Sequence, residues 1–217
     1  ESRSSTQRLQ SEGLDTPVKP EPLITKHVTD DKVTIFFGKK ALVDIPSNNQ
    51  VILGFAVDIG TTKLAGYLLD LIDGKVLAVA TTMNPQIPYG EDIISRLTYG
   101  MKGIEPFNVL HNALIRGVKQ LLNDACRTAG VESDNVYENV IVGNTAMHHF
   151  FLGLELEPLT HSPFTSPNLK ERDFETGVFG LGNPKSNIHT LPLIAGFVGA
   201  DCVAAILATE LHRSNKQ

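Results

Sequence analysis

A carboxylate, a glycine and two hydroxyls stand close together in Asp58-Ile59-Gly60-Thr61-Thr62. They follow an apolar run, residues 52–58 (ILGFAVD), that reads as a buried strand. A carboxylate at the end of such a strand is held rigidly at the mouth of a sheet. Like charges repel, so it cannot touch a phosphate directly. It can hold a hydrated Mg²⁺, which keeps several waters and binds through carboxylate and phosphate oxygens. Gly60 has no Cβ, so its backbone can approach an anion closely. The N–H groups and hydroxyls of Thr61 and Thr62 can donate to phosphate oxygens. Lys63 adds a positive charge or simply opens the next strand. The competing reading is a plain β-turn with Asp and Gly as turn formers. No G-x-x-x-x-G-K-[ST] loop occurs, and no G-x-G-x-x-G follows a strand.

Two further junctions carry weaker signals. Gly143-Asn144-Thr145 falls between a strand and a helix, where free N–H groups form an anion site. Asn144 or Thr145 equally suits a helix cap. Gly196 to Asp201 joins another strand to another helix, and Asp201 there is favoured by the helix dipole. His148 and His149 are adjacent on a helix and point in different directions, which speaks against a metal pair. Glu91 and Asp92 suit the first turn of a helix. Cys126 and Cys202 read as small core residues. Only these two cysteines occur, too few to hold an iron–sulfur cluster or a zinc ion by cysteine alone.

The elements that must position these groups follow from the apolar pattern. Residues 64–71 and 75–82 are two more strands, and Asp73-Gly74 between them is a hairpin signal. The expected product is a three-stranded antiparallel meander. A short helix follows at 91–98 and a longer one at 106–129. In the latter Phe107, Leu110, Leu114, Val118, Leu121 and Ala125 step by three or four, and Gly130 suits its C-terminal cap. Residues 139–142 are a strand, 145–152 a helix, 160–187 an irregular excursion, 189–194 a final strand and 199–211 a final helix. A meander followed by alternating strands and helices predicts an α/β fold with a mixed sheet and helices packed on it. Upstream, residues 1–25 are poor in apolar groups and contain Pro17, Pro20 and Pro22, the signature of a linker. The runs KVTIFF and ALVDI predict a hairpin in a small β-rich module over 26–50. Both termini read as cut: the chain opens on Glu1 and ends in a polar tail.

Bulk properties narrow the classes. The 217 residues are 41% hydrophobic and carry a net charge of −5, with no basic stripe for nucleic acid. No apolar run reaches the roughly 20 residues of a membrane helix. The low cysteine count fits a reducing, cytoplasmic setting.

Three separated blocks carry a family resemblance: GFAVDIGTTKLAGYLLDLIDGKVLAVATTMNPQIPYGEDIISRL, ENVIVGNTAMHHFFLGL and LPLIAGFVGADCVAAILATEL. Together they resemble the reductive activators of corrinoid proteins, ATPases of the actin, sugar-kinase and heat-shock-chaperone superfamily. ESRSSTQRLQSEG resembles the segment after that family's amino-terminal ferredoxin domain. The resemblance implies a ribonuclease-H-like, actin-like ATPase fold, of which residues 51–217 would be the first lobe. It implies ATP and Mg²⁺ as cofactors, with an iron–sulfur cluster only outside this chain. Asp58, Gly60, Thr61, Thr62, Asn144 and Gly199 would bind the cofactor, Asp58 would hold Mg²⁺ through water, and Asp201 would orient the attacking water. The implied activity returns an oxidised Co(II) corrinoid protein to Co(I) at the expense of ATP. The implied partner is that corrinoid protein, and a homodimer is a further expected assembly. The sequence departs from the pattern in having one Asp-x-Gly-Thr block and no ferredoxin cysteines. A metabolite kinase and a nucleotide-switched interaction protein are the rival readings, and neither accounts for NPQIPYGEDIISR and GNTAMHH together.

Overall fold

The computed structural model describes residues 51–211 and three strands upstream, β1 (Ile24–Val28), β2 (Lys32–Phe37) and β3 (Lys40–Pro46). These three form an antiparallel sheet in the order β1-β2-β3. The expected hairpin is β2 and β3. β1 is an addition, and it begins two residues before the expected module boundary. Of the expected linker over residues 1–25, residues 1–23 lie outside the described residues and the last two open β1.

The second sheet has six strands: β4 (Leu53–Ile59), β5 (Lys63–Asp70), β6 (Val76–Met83), β7 (Val136–Gly143), β8 (Arg172–Glu175) and β9 (Asn187–Thr190). Their order is β6-β5-β4-β7-β9-β8. β4, β5 and β6 are the predicted antiparallel meander, while β7 runs parallel to β4 and β9 parallel to β7. The mixed sheet of an α/β fold is therefore present. The parallel step from the meander to β7 needs a crossover. It is made by α1 (Ile93–Gly100) and α2 (Ile104–Ala129). α3 (Thr145–Leu152), a short α4 (Glu157–Thr160) and α5 (Ala200–Ala208) complete the helices.

Alternation along β4 decides which side chains meet the core. Leu53, Phe55, Val57 and Ile59 are buried, and Asp58 between the last two is exposed. The buried set packs on the α2 stripe of Leu110, Leu114, Val118, Leu121 and Ala125. Each buried leucine of this kind contributes about 2 kcal/mol. Gly66 lets α2 come close: a Cβ there would stand 2.5 Å from Phe55 Cζ and 2.8 Å from a Leu121 methyl. The opposite face carries α5 against β7, and leaves Tyr67 of β5 and Val79 of β6 exposed.

Several boundaries differ from expectation, each for a local reason. α1 starts two residues late because Asp92 caps it, accepting the Ser95 N–H at 2.7 Å. The final strand covers Asn187–Thr190 rather than 189–194, since Pro192 has no N–H to give a ladder. The irregular excursion contains β8, which pairs antiparallel with β9 at the sheet edge. Gly130 caps α2 in the left-handed conformation, φ 68°, as predicted. Cys126 is buried as expected, but Cys202 is exposed on the first turn of α5.

Both histidines of α3 are buried. His149 bridges the Glu155 carbonyl and the Ser166 hydroxyl at 2.7 and 2.8 Å. Burial pushes the His148 imidazole down to about 4, with His149 and Arg172 adding repulsion. The unfolded chain therefore binds a proton near 6.5 that the folded chain refuses. The stabilising term is complete above pH 6.5 and is lost as pH falls toward 4, at most about 3 kcal/mol. His148→Phe is expected to flatten this loss. Urea titrations from pH 7 to 4.5 check it; equal slopes in both proteins contradict it.

Candidate functional site

Asp58, Gly60, Thr61 and Thr62 lie together where β4 turns into β5. Ile59 pairs with Leu64 across the hairpin and with Gly143 on β7, so the turn sits at the boundary between antiparallel and parallel pairing. Two tight approaches shape it. A Cβ on Gly60 would stand 2.6 Å from the Lys63 carbonyl, and one on Gly143 2.8 Å from the Ile59 carbonyl. Thr62 and Lys63 are exposed and Thr61 is half-buried.

Asn144 reaches the same turn from β7. Its side-chain oxygen caps α3 by accepting the Met147 N–H at 3.1 Å. Its Nδ2 donates to Thr61 Oγ1 at 3.2 Å. The cap reading is thus correct, and the residue also fixes the Thr61 hydroxyl. The α3 N-terminus and the threonine turn are held side by side by one amide.

The loop before α5 closes over this junction. Thr145 Oγ1 donates to the Ala195 carbonyl at 2.8 Å. A Cβ on Gly199 would stand 2.5 Å from both the Gly143 carbonyl and Asn144 Cα. Glycine at 199 is therefore required by backbone contact. This packing carries Asp201, in the first turn of α5, to the face of the sheet on which Asp58 lies. Asp58 also borders a groove of about 630 Å³ lined by Ala56, Tyr67, Val140, Val142 and Leu207.

Partial desolvation, then the Asp201 charge, raises the Asp58 carboxyl above its ordinary value of 3.8. The donor set is hard oxygen throughout: two carboxylates and two threonine hydroxyls. Mutual repulsion of two acids beside hydroxyl donors fits a small divalent cation, whose charge would relieve it. The residues present therefore fit Mg²⁺ with a phosphate. Among the described residues no group of three or more His, Cys, Asp or Glu could hold a metal ion. The protein would supply only part of such a coordination shell, as Mg²⁺ sites commonly do.

One residue at the turn belongs to the NPQIPYGEDIISR block of the family resemblance, but the sequence assigns it no role. Asn84, at the end of β6, donates through Nδ2 to the Gly60 carbonyl at 2.8 Å. Asn-Pro reads only as turn initiation, and the contact spans 24 residues of sequence.

The raised Asp58 carboxyl gives a signed expectation for the metal-free chain. Between 3.8 and the raised value the folded state binds more protons, so stability rises as pH falls through that window. At pH 7 the charged carboxylate is a cost, which Asp58→Asn removes. The variant is expected to be slightly more stable at pH 7, by less than about 1 kcal/mol because solvent screens an exposed carboxylate. The advantage should vanish below pH 4. Thermal melts in EDTA check this; a variant less stable at pH 7 contradicts it.

Comparison with known proteins places this geometry. Residues 53–214 match the protein family described as the RACo middle region. The corrinoid activation enzyme RamQ of Eubacterium limosum is 31% identical over 215 residues, covering 92% of this chain and 35% of RamQ. A solved reductive activator for corrinoid, iron-sulfur protein is 30% identical, with a TM-score of 0.80 over 85% of this chain and 30% of that one. The chain therefore spans about a third of the length of these relatives. The family match over residues 53–214 covers most of the chain, which belongs to the RACo middle-region family.

Proposed function

We propose that this chain is the first phosphate-binding lobe of an ATP-dependent reductive activator, which returns a Co(II) corrinoid protein to Co(I). The single observation that carries the reading is the turn itself. Asp58, the Thr61 and Thr62 hydroxyls, the capped N-terminus of α3 and Asp201 converge at one end of the sheet, where the strand pattern changes. Two relatives named for corrinoid activation support the substrate class.

The actin-like, ribonuclease-H-like assignment is part of this proposal. It is supported by the meander that opens the sheet, the crossover to parallel strands, and presentation of the turn by the first hairpin. The same holds for the partition into a linker (1–25), a middle module (26–50) and a lobe (51–217). In this reading a second lobe, lying outside these 217 residues, supplies the other phosphate loop and the adenosine pocket. The iron–sulfur cluster also belongs outside the chain, and the cytoplasm is the compartment in which such a reductant works. Among the described residues no helix is long and apolar enough to cross a membrane.

The geometry supports a division of labour. Asp58 would hold Mg²⁺ through water, since its own charge keeps it off a phosphate. Thr61 and Thr62 would donate to phosphate oxygens. Asn144 orients Thr61 and caps α3, keeping the positive end of that helix beside the turn. Gly199 lets the α5 loop lie against that cap. Asp201, whose carboxylate accepts the Cys202 N–H at 2.8 Å, is the acid placed to orient a water. Bound Mg²⁺ would neutralise charge developing on the transferred phosphoryl group.

In the complete protein, Asp58→Ala is expected to lower ATP-dependent reduction at least a hundredfold or so, the cost of one lost electrostatic stabiliser. The fold should persist, because the side chain is exposed. Steady-state ATPase rates and circular dichroism check both halves. A near-normal rate removes Asp58 from the phosphate site.

A further inference from the structure

Asn84 is 1% exposed, and its contacts with the turn are specific. Its backbone N–H donates to the Thr62 carbonyl at 2.8 Å. Its Nδ2 donates to the Gly60 carbonyl at 2.8 Å, and its Oδ1 accepts the Gln86 N–H at 2.9 Å. One residue thus takes the carbonyls on both sides of Thr61. In a planar trans peptide the N–H and C=O point in opposite directions. Drawing the Gly60 carbonyl toward Asn84 therefore turns the Thr61 N–H away from it.

The anchor is backed by further buried polar atoms. Gln86 and Arg96 are both 0% exposed. Gln86 Nε2 donates to the Leu110 carbonyl of α2 at 3.1 Å. Arg96 of α1 donates through Nη1 to Gln86 Oε1 at 3.4 Å and through Nε to the Gly90 carbonyl at 2.7 Å. Asn84 Nδ2 also lies 3.6 Å from Met147 Sδ in α3. The turn is therefore tied to three helices through buried polar side chains, where a bond left unmade is costly. Both turn groups that Asn84 engages are carbonyls, the groups a phosphate would be repelled by. Drawing them inward leaves donors for the outer side.

We propose that Asn84 is a positioning residue for the phosphate turn, fixing the Gly60 and Thr62 carbonyls inward so that the Thr61 N–H faces the nucleotide. This inference rests on the reading of the turn as phosphate-binding.

The test uses the complete protein. Asn84→Asp is nearly isosteric and still accepts the Gln86 N–H, but sets a carboxylate oxygen against the Gly60 carbonyl. The KM for Mg-ATP is expected to rise about tenfold or more, the equivalent of one lost buried hydrogen bond. In nucleotide-free protein, amide hydrogen exchange should speed up at residues 60–63 while β4 and β6 keep their protection. Lowering the pH protonates the introduced carboxyl, restores a donor and should narrow the KM gap. Asn84→Ala should show the same KM and exchange changes without that narrowing, and it carries the comparison if Asn84→Asp does not fold. Unchanged KM with unchanged exchange at the turn overturns the proposal. So does exchange that rises evenly across β4 to β6, which marks a general loss of packing. If Asp58→Ala is inactive while the Asn84 variants are normal, this inference alone fails. A normal ATPase in Asp58→Ala removes its premise instead.

Discussion

The placement of one short turn governs the rest of this structure. Gly60 to Thr62 lies at the end of a strand that pairs antiparallel on one side and parallel on the other. That position leaves its donor groups at an open edge, and three independent contacts hold it there. Asn84 takes two carbonyls, Asn144 takes the Thr61 hydroxyl, and Gly143 permits close approach of the Ile59 carbonyl. The contacts come from β6, from the start of α3 and from β7. The sheet and two of its connections are thus needed to fix three residues.

A second constraint is electrostatic. Alternation along β4 sends Val57 and Ile59 into the core and Asp58 out to the other face. The α5 loop, seated on Gly199, brings Asp201 to that same face. Partial desolvation, then the nearby Asp201 charge, raises the Asp58 carboxyl, a cost that the proposed Mg²⁺ would relieve. In the proposed reading the hydroxyls and helix terminus beside the pair are the complementary donors for a phosphate.

Much of this was legible in the residue order. The apolar runs and the Asp-Gly turn predicted the meander, and the 3.6-residue stripe from Phe107 to Ala125 predicted α2 and the face it buries. The Asp58–Thr62 group announced itself because glycine and hydroxyls directly follow a buried strand. Asn144 was legible as a cap, a local interaction three residues long. Its reach to Thr61, 83 residues away in sequence, was not. The donor role of Asn84 was hidden for the same reason, since it depends on strand register that no local pattern fixes. Gly199 carried the opposite problem: its signal suggests ligand approach, while its immediate neighbour is the backbone of Gly143 and Asn144. Cys202 was misplaced because its helix is amphipathic only weakly, with alanines on several sides.

The central claim is that this turn is one half of a two-sided phosphate site. Half a site leaves phosphate and Mg²⁺ largely solvated, where water screens the attraction. It also offers no surface for the adenine ring. Isothermal titration of the 217-residue chain with Mg-ATP tests this directly, first alone and then with the downstream lobe added as a separate polypeptide. The account predicts no measurable heat of binding for the chain alone, and binding restored by the added lobe. Micromolar or tighter binding by the chain alone, or no binding after the lobe is supplied, would contradict it.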